Sequence, residues 1–259
     1  AGKILEMGSA SDEFRCGDNV MAHMRTGGYA EQCIAPLEKI RPLPENFDFA
    51  QGAGFQVAYS TAYVSLVPRG NLNKGETLLV HGAAGGVGLA AIQLGKALGA
   101  TVIATVSNPK KVSAAKKNGA DHVILLEKSG FRETVNEITS GKGADVIYDP
   151  VGGDVFDQSL RCIAWEGRLL VIGFTSGRIP SAPANLALLK SCDIVGVFWG
   201  AFVERTPQVN LQNFEQLYKW IEEGYIKPRI SMKVSLENTL DAMKAIADRK
   251  IIGKAIVKI

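Results

Sequence analysis

From Thr77 onward the sequence alternates short, continuous apolar runs with longer stretches of helical periodicity, and this alternation restricts the fold more than any other feature. An apolar run buried on both faces reads as a strand of a parallel sheet, and the helix between two such runs is the crossover that a parallel connection needs. Six runs stand out: Thr77 to His81, Thr101 to Val106, His122 to Leu125, Ala144 to Asp149, Arg168 to Gly173 and Ile194 to Phe198. Between them, Val87 to Leu98 and Lys110 to Asn118 carry apolar residues at helical spacing. Each stops at a glycine, Gly99 and Gly119, suited to a left-handed C-terminal cap. An α/β fold with a doubly wound, six-stranded parallel sheet is expected over residues 59–200.

The flanks follow a different rule. Residues 1–46 are punctuated by glycine and hold only brief strand candidates, Asn19 to His23 and Glu31 to Pro36. After Phe198 come a helical pattern from Asn210 to Glu223, a second from Leu236 to Ala247, and a last strand, Ala255 to Ile259. A strand so late in the chain can return to the N-terminal β segment. Residues 1–58 and 201–259 are therefore expected to form one discontinuous β domain.

The first strand of the series runs into His81-Gly82-Ala83-Ala84-Gly85-Gly86-Val87-Gly88 and leaves as a helix. That geometry leaves unbonded backbone N–H groups and the positive helix end where a pyrophosphate can sit. Gly85 and Gly86 suit the tight turn and close contact, Val87 opens the helix, and Gly88 lets the helix pack on its strand. A glycine string alone is weak evidence and can be a mere turn. Its place in the first unit of a six-strand pattern favours a Rossmann dinucleotide site.

The end of the second strand distinguishes the two dinucleotides, because an acid there accepts hydrogen bonds from the ribose hydroxyls of NAD. Here Val106, Ser107 and Asn108 end the strand, and Lys110 and Lys111 follow. Cations at that position suit a 2′-phosphate and favour NADPH. Solvated lysines at the start of an exposed helix are the plainer alternative, although basic residues there oppose the helix dipole.

Composition removes several function classes. With 259 residues, 46% of them hydrophobic, the chain can bury a full core, and a net charge of +3 suggests neither a nucleic-acid nor a membrane partner. No stretch has the length of an apolar span, and the first residues lack the pattern of a signal peptide. Cys16, Cys33, Cys162 and Cys192 form no C-x-x-C pair, and free thiols in a reducing cytoplasm fit them best. His23, His81 and His122 show no paired ligand spacing.

Several motifs occur in one order along the whole chain: Gly17-Asp18-Asn19-Val20, Gly27-Gly28-Tyr29-Ala30-Glu31, Ala58-Tyr59-Ser60-Thr61-Ala62-Tyr63, Ala83-Ala84-Gly85-Gly86-Val87-Gly88, Asp149-Pro150-Val151-Gly152-Gly153 and Gly253-Lys254. In this arrangement the chain resembles the zinc-free quinone oxidoreductase branch of the medium-chain dehydrogenase/reductase superfamily. The resemblance implies a Rossmann domain with a GroES-like β domain, here partial because Ala1 to Gly8 match the middle of a β-domain motif. It also implies NADPH as cofactor and hydride transfer to the β-carbon of a quinone or other activated alkene.

Carried over by position, Gly85, Gly86 and Val87 hold the pyrophosphate, and Ser107 and Lys111 hold the 2′-phosphate. Val151 and Phe174 line the strand ends, Val197 and Phe198 flank the nicotinamide, and Thr61 and Lys254 are further cofactor candidates. Leu125-Leu126 stands where many relatives place a tyrosine beside the 2′-phosphate. Val57 occupies the position of the cysteine zinc ligand of related alcohol dehydrogenases, and Val20 to Gly27 is too short for their four-cysteine lobe, so a metal-free reaction is expected. No catalytic residue is singled out; Tyr59 is a possible donor, but an aromatic in an apolar helix is more often core.

Two readings stay open at this point: a reductase of quinones or enones, and an NADPH-binding module without turnover. The run Ile194 to Phe198 ends the sheet and is nearly uncharged, so pairing across a homodimer is expected to cover it.

Overall fold

The structure is a computed structural model that describes residues 1–126 and 130–259. The chain divides into two compact units, Ala1–Ala58 with Lys227–Ile259, and Tyr59–Ile226. In the smaller unit three short antiparallel strands, β1 (Gly2–Lys3), β2 (Asn19–Ala22) and β3 (Ile40–Pro42), form one sheet in that order. The expected strand at Glu31 to Pro36 is absent: no ladder partner lies beside it among the described residues, and its Ile34 is 97% exposed. An extended run without a partner cannot exchange its amide bonds with water for ladder bonds, so it stays a loop. Helix α1 (Phe49–Val64) then leads into the larger unit.

The six apolar runs form the six strands of one parallel sheet: β4 (Thr77–Val80), β5 (Thr101–Val106), β6 (His122–Leu125), β7 (Ala144–Asp149), β8 (Ile163–Val171) and β9 (Asp193–Gly196). Helices α2 (Gly86–Ala97), α3 (Pro109–Lys117), α4 (Arg132–Ile138), α5 (Asp154–Cys162) and α6 (Ala184–Lys190) connect them. The spatial order is β6-β5-β4-β7-β8-β9, so the chain reverses its direction of progression between β4 and β7. Right-handed crossovers laid down in opposite directions put their helices on opposite faces, which is the doubly wound arrangement. Alternation along β4 shows the two faces. Leu78 meets α2 at Gly95, whereas Leu79 joins Phe131, Val135, Phe156 and Leu160, contributed from around α4 and α5.

Strand β8 begins five residues earlier than its apolar run suggests. Its ladder to β7 jumps from Ala144–Ile163 to Val146–Arg168, and Glu166 within the bulge has φ of 56°. Beyond the bulge Arg168 donates to both oxygens of Glu76, at 2.9 and 2.7 Å, and to the carbonyls of Gly70 and Asn71. This partly buried fork ties β8 to the turn that enters β4.

Helices α7 (Trp199–Arg205) and α8 (Pro207–Glu222) follow β9. Residues 201–226 belong to the larger unit, so the second segment of the smaller one begins at Lys227 rather than at residue 201. The cause is the apolar stripe of α8: Phe214, Leu217, Trp220 and Ile221 are buried, and Trp220 packs on Tyr63 of α1 with ring centroids 5.7 Å apart. In the smaller unit β10 (Ile230–Ser235) pairs in parallel with β11 (Lys254–Lys258), with α9 (Thr239–Ala247) between them. The expected final strand is present one residue early, and its partner β10 was not foreseen, although Ile230, Met232 and Val234 alternate with more exposed neighbours.

Behind the end of β4 the side chain of His81 is wholly buried between strand β5 and helix α5. The Ser159 hydroxyl donates to the Val155 carbonyl, so its oxygen is left to accept from His81 Nε2–H at 2.8 Å. Nδ1 then accepts from the Thr105 hydroxyl at 2.9 Å. Burial pushes the imidazole down from its ordinary 6.5 to about 3, so the folded ring stays neutral. The unfolded ring takes a proton near 6.5 and the folded ring does not. Stability from this group is therefore complete above that value and is lost as pH falls toward 3. Urea titrations should show a midpoint that drops between about pH 7 and pH 4, and His81→Gln, although destabilised at neutral pH, should show a visibly flatter dependence over the same window.

Candidate nucleotide-binding site

The reversal between β4 and β7 opens a crevice at the carboxyl ends of the strands, the place where doubly wound sheets receive their ligands. The turns after β4, β5, β7, β8 and β9 all emerge there. They carry Gly85, Gly86 and Val87, then Ser107 and Lys111, then Val151, Phe174, Val197 and Phe198. Nine of the eleven residues singled out in the sequence thus stand along one edge of one sheet. Thr61 lies on α1, where its carbonyl accepts from the Ser65 hydroxyl, and Lys254 opens β11 in the other unit.

The turn after β4 is shaped by close packing. A Cβ on Gly88 would meet the Gly82 carbonyl oxygen and lie 2.7 Å from Ala83 Cα, so any other residue pushes α2 away from its strand. Helix α2 begins at Gly86, one residue before the expected start, and its N-cap Gly85 offers no side chain to the first amides. These amides point outward at the positive end of a twelve-residue helix. On the other side of the crevice a Cβ on Gly82 would lie 3.4 Å from Val151 Cγ2, so the two turns that flank the switch point approach each other directly. The cradle fits a pyrophosphate: it presents backbone donors, positive dipole and no side chain that would fill the space.

At the end of β5 the Lys111 ammonium donates to Ser107 Oγ at 3.3 Å, which brings the two residues assigned to a 2′-phosphate together. The first turn of α3 holds no acid. Among the described residues, Asn108 Oδ1, at the N-cap of α3, is buried without a hydrogen-bond partner and so is an acceptor left open beside this strand end.

After β7 the carboxylate of Asp149, 1% exposed, accepts from the amides of Val151 and Gly152 at 2.8 and 2.9 Å. Burial raises its pKa, and the two amides oppose that shift. Asp149 sets the position of Val151, yet it received no role from the sequence, although it stands inside the Asp149-Pro150-Val151-Gly152-Gly153 string. Phe174 is 40% exposed and Phe198 is 79% exposed, while Val197 is buried and donates its amide to Val171 O. Val197 and Phe198 lie just beyond β9 and not within it, and Phe198 caps α7.

Tyr59 lies in the core, its hydroxyl donating to Gln93 Oε1 at 2.7 Å, and burial raises its pKa. Among the described residues no group of three His, Cys, Asp or Glu side chains could hold a metal ion, and no helix is long and apolar enough to cross a membrane.

The zinc-binding dehydrogenase family matches residues 86–220. The quinone oxidoreductase-like protein 2 homolog of Nematostella vectensis is 37% identical to this chain over 99% of its length, spanning 71% of that protein. The chain belongs to the quinone oxidoreductase family. The bovine quinone oxidoreductase-like protein 2 is 34% identical over 100% of the chain and 74% of its own length. Among solved structures, the Escherichia coli quinone oxidoreductase complexed with NADPH superposes with a TM-score of 0.89 at 29% identity, covering 99% of this chain and 80% of that one.

Because the obstruction at Gly88 is backbone, it cannot be relieved by a rotamer change. Gly88→Ala should lower stability by about 1–3 kcal/mol, read as a fall in Tm, whereas alanine at the unobstructed, exposed Gly28 should change it little.

Proposed function

We propose that the chain is an NADPH-dependent, metal-free reductase that passes hydride to a quinone or another α,β-unsaturated carbonyl. The observation that carries this reading is the pairing of Ser107 with Lys111 at an acid-free strand end, beside the open amides of α2. The Escherichia coli relative solved with NADPH supports the cofactor, and the names of the relatives support the acceptor. When bound, NADPH supplies the hydride.

Gly85, Gly86 and Val87 hold the pyrophosphate through backbone donors, and Ser107 and Lys111 distinguish the 2′-phosphate from a free hydroxyl. Val151, Phe174, Val197 and Phe198 provide an apolar surface that excludes water and orients the nicotinamide ring. Thr61 and Lys254 are assigned to the cofactor by resemblance; burial lowers the pKa of the Lys254 ammonium, which an anionic ligand would offset. Rate enhancement comes from positioning, without an assigned acid or base. Free thiols at all four cysteines accord with a reducing compartment such as the cytoplasm. The exposed edge of β9, with Ile194 partly open to solvent, supports a homodimer formed by strand pairing.

Purified protein should oxidise NADPH with 1,4-benzoquinone and with a simple enone, and a chelator should leave the rate unchanged. Tight NADPH binding with no cofactor oxidation by either acceptor would sink the enzyme reading and leave a binding module. Lys111→Ala should weaken NADPH binding by roughly ten-fold and NADH binding little, as measured by cofactor fluorescence. Ile194→Lys should shift the light-scattering mass from dimer to monomer; a wild-type monomer at micromolar concentration contradicts the pairing.

A further inference from the structure

The loop between β8 and α6, residues 172–183, folds back over the turn between β7 and α5. The Thr175 amide and hydroxyl both donate to Pro150 O, at 3.1 and 3.0 Å, and the Ser176 amide donates to Val151 O at 3.0 Å. A Cβ on Gly152 would lie 2.9 Å from Phe174 Cδ1, and one on Gly153 would lie 2.8 Å from Ser176 Oγ. Both glycines also have positive φ, 68° and 58°, so the turn beneath Phe174 is bare for two independent reasons.

At the far end of the overlap Arg178 Nη2 donates to Asp154 Oδ1 at 2.8 Å and to Asp157 Oδ2 at 2.5 Å, both in the first turn of α5. Two acids there suit the helix dipole but repel each other, and one guanidinium between them relieves the repulsion. Arg178 thus ties the loop to α5, and beyond it Pro183 O accepts from the Leu186 amide at 3.0 Å as α6 begins. A single exposed ion pair contributes little, but a loop without regular structure is held by few contacts, and this one is doubly bonded.

We propose that Arg178 is a positioning residue: by clamping its loop to α5 it holds Phe174 over Gly152 and so fixes the apolar wall that orients the nicotinamide ring toward the acceptor. This rests on the role given to Phe174 in the proposed function. Arg178 is tied to Asp154 and Asp157 of α5 rather than to the turns that form the phosphate cradle, so it governs how the ring meets the acceptor and not how tightly the phosphates are held.

The test combines kinetics with amide hydrogen exchange on wild type, Arg178→Ala, Arg178→Lys and Phe174→Ala. Arg178→Ala should raise the acceptor KM about five-fold, leave NADPH affinity within about two-fold, and speed exchange at Thr175 and Ser176. Arg178→Lys should recover most of the loss, and Arg178→Ala combined with Phe174→Ala should be no worse than Phe174→Ala alone. An unchanged acceptor KM, or an equal loss of NADPH affinity, overturns the proposal. A wild type that binds NADPH but reduces neither acceptor overturns the proposed function instead. In that case exchange still decides the clamp, since identical exchange in wild type and Arg178→Ala removes it.

Discussion

The close seating of α2 on the turn that precedes it sets the geometry on which the rest of the larger unit depends. With no side chain at Gly88, the helix approaches the Gly82 and Ala83 backbone to within contact distance, and its unbonded amides are brought to the edge of the central strand. β4 lies between β5 and β7, and the side chains of Leu78, Leu79 and Val80 are fully buried. A shift of α2 would be transmitted through Leu78 and Gly95 to the sheet, because a close-packed interior has no slack to absorb it. The bare cradle at the start of α2 is thus a by-product of core packing.

Two buried polar groups stiffen the sheet behind this edge in different ways. His81 stays neutral and joins the end of β4 to β5 and α5, its Nε2–H donating to Ser159 Oγ and its Nδ1 accepting from the Thr105 hydroxyl. Asp149 shapes the turn that carries Val151 and Gly152, with two backbone donors offsetting part of its desolvation. A network with each member satisfied adds rigidity, whereas one left half-made would weaken the core. Rigidity at this edge is what the proposed positioning role would require, since it would have to hold a ring and an acceptor in register.

Most of the larger unit was legible because parallel strands write themselves as continuous apolar runs, and because Gly99 and Gly119 end α2 and α3 with φ of 81° and 106°. The failures share a cause: each depended on a partner that is distant in sequence. The stripe on α8 showed that the helix is amphipathic but not which unit it faces, and packing against Tyr63 decided that. Glu31 to Pro36 had strand composition without a neighbour, while β10 had a neighbour but too polar a pattern to be noticed. In the site, the glycines were readable since their role is local. Asp149 and Arg178 were not, because one acts through a turn in three dimensions and the other through acids more than twenty residues upstream.

This difference in legibility parallels a difference in construction. The end of the crevice assigned to phosphates combines the backbone of the β4–α2 turn with the Ser107–Lys111 pair, so the cradle itself depends on the path of the chain. The opposite end is made of Val151, Phe174, Val197 and Phe198, apolar side chains on the segments after β7, β8 and β9, the first two of which are joined by hydrogen bonds from Thr175 and Ser176 to Pro150 and Val151. Substitution there alters the wall while leaving the cradle intact. A fold divided in this way could keep the cradle and vary the wall through the loops after β7 and β8, since those two loops are bonded to each other.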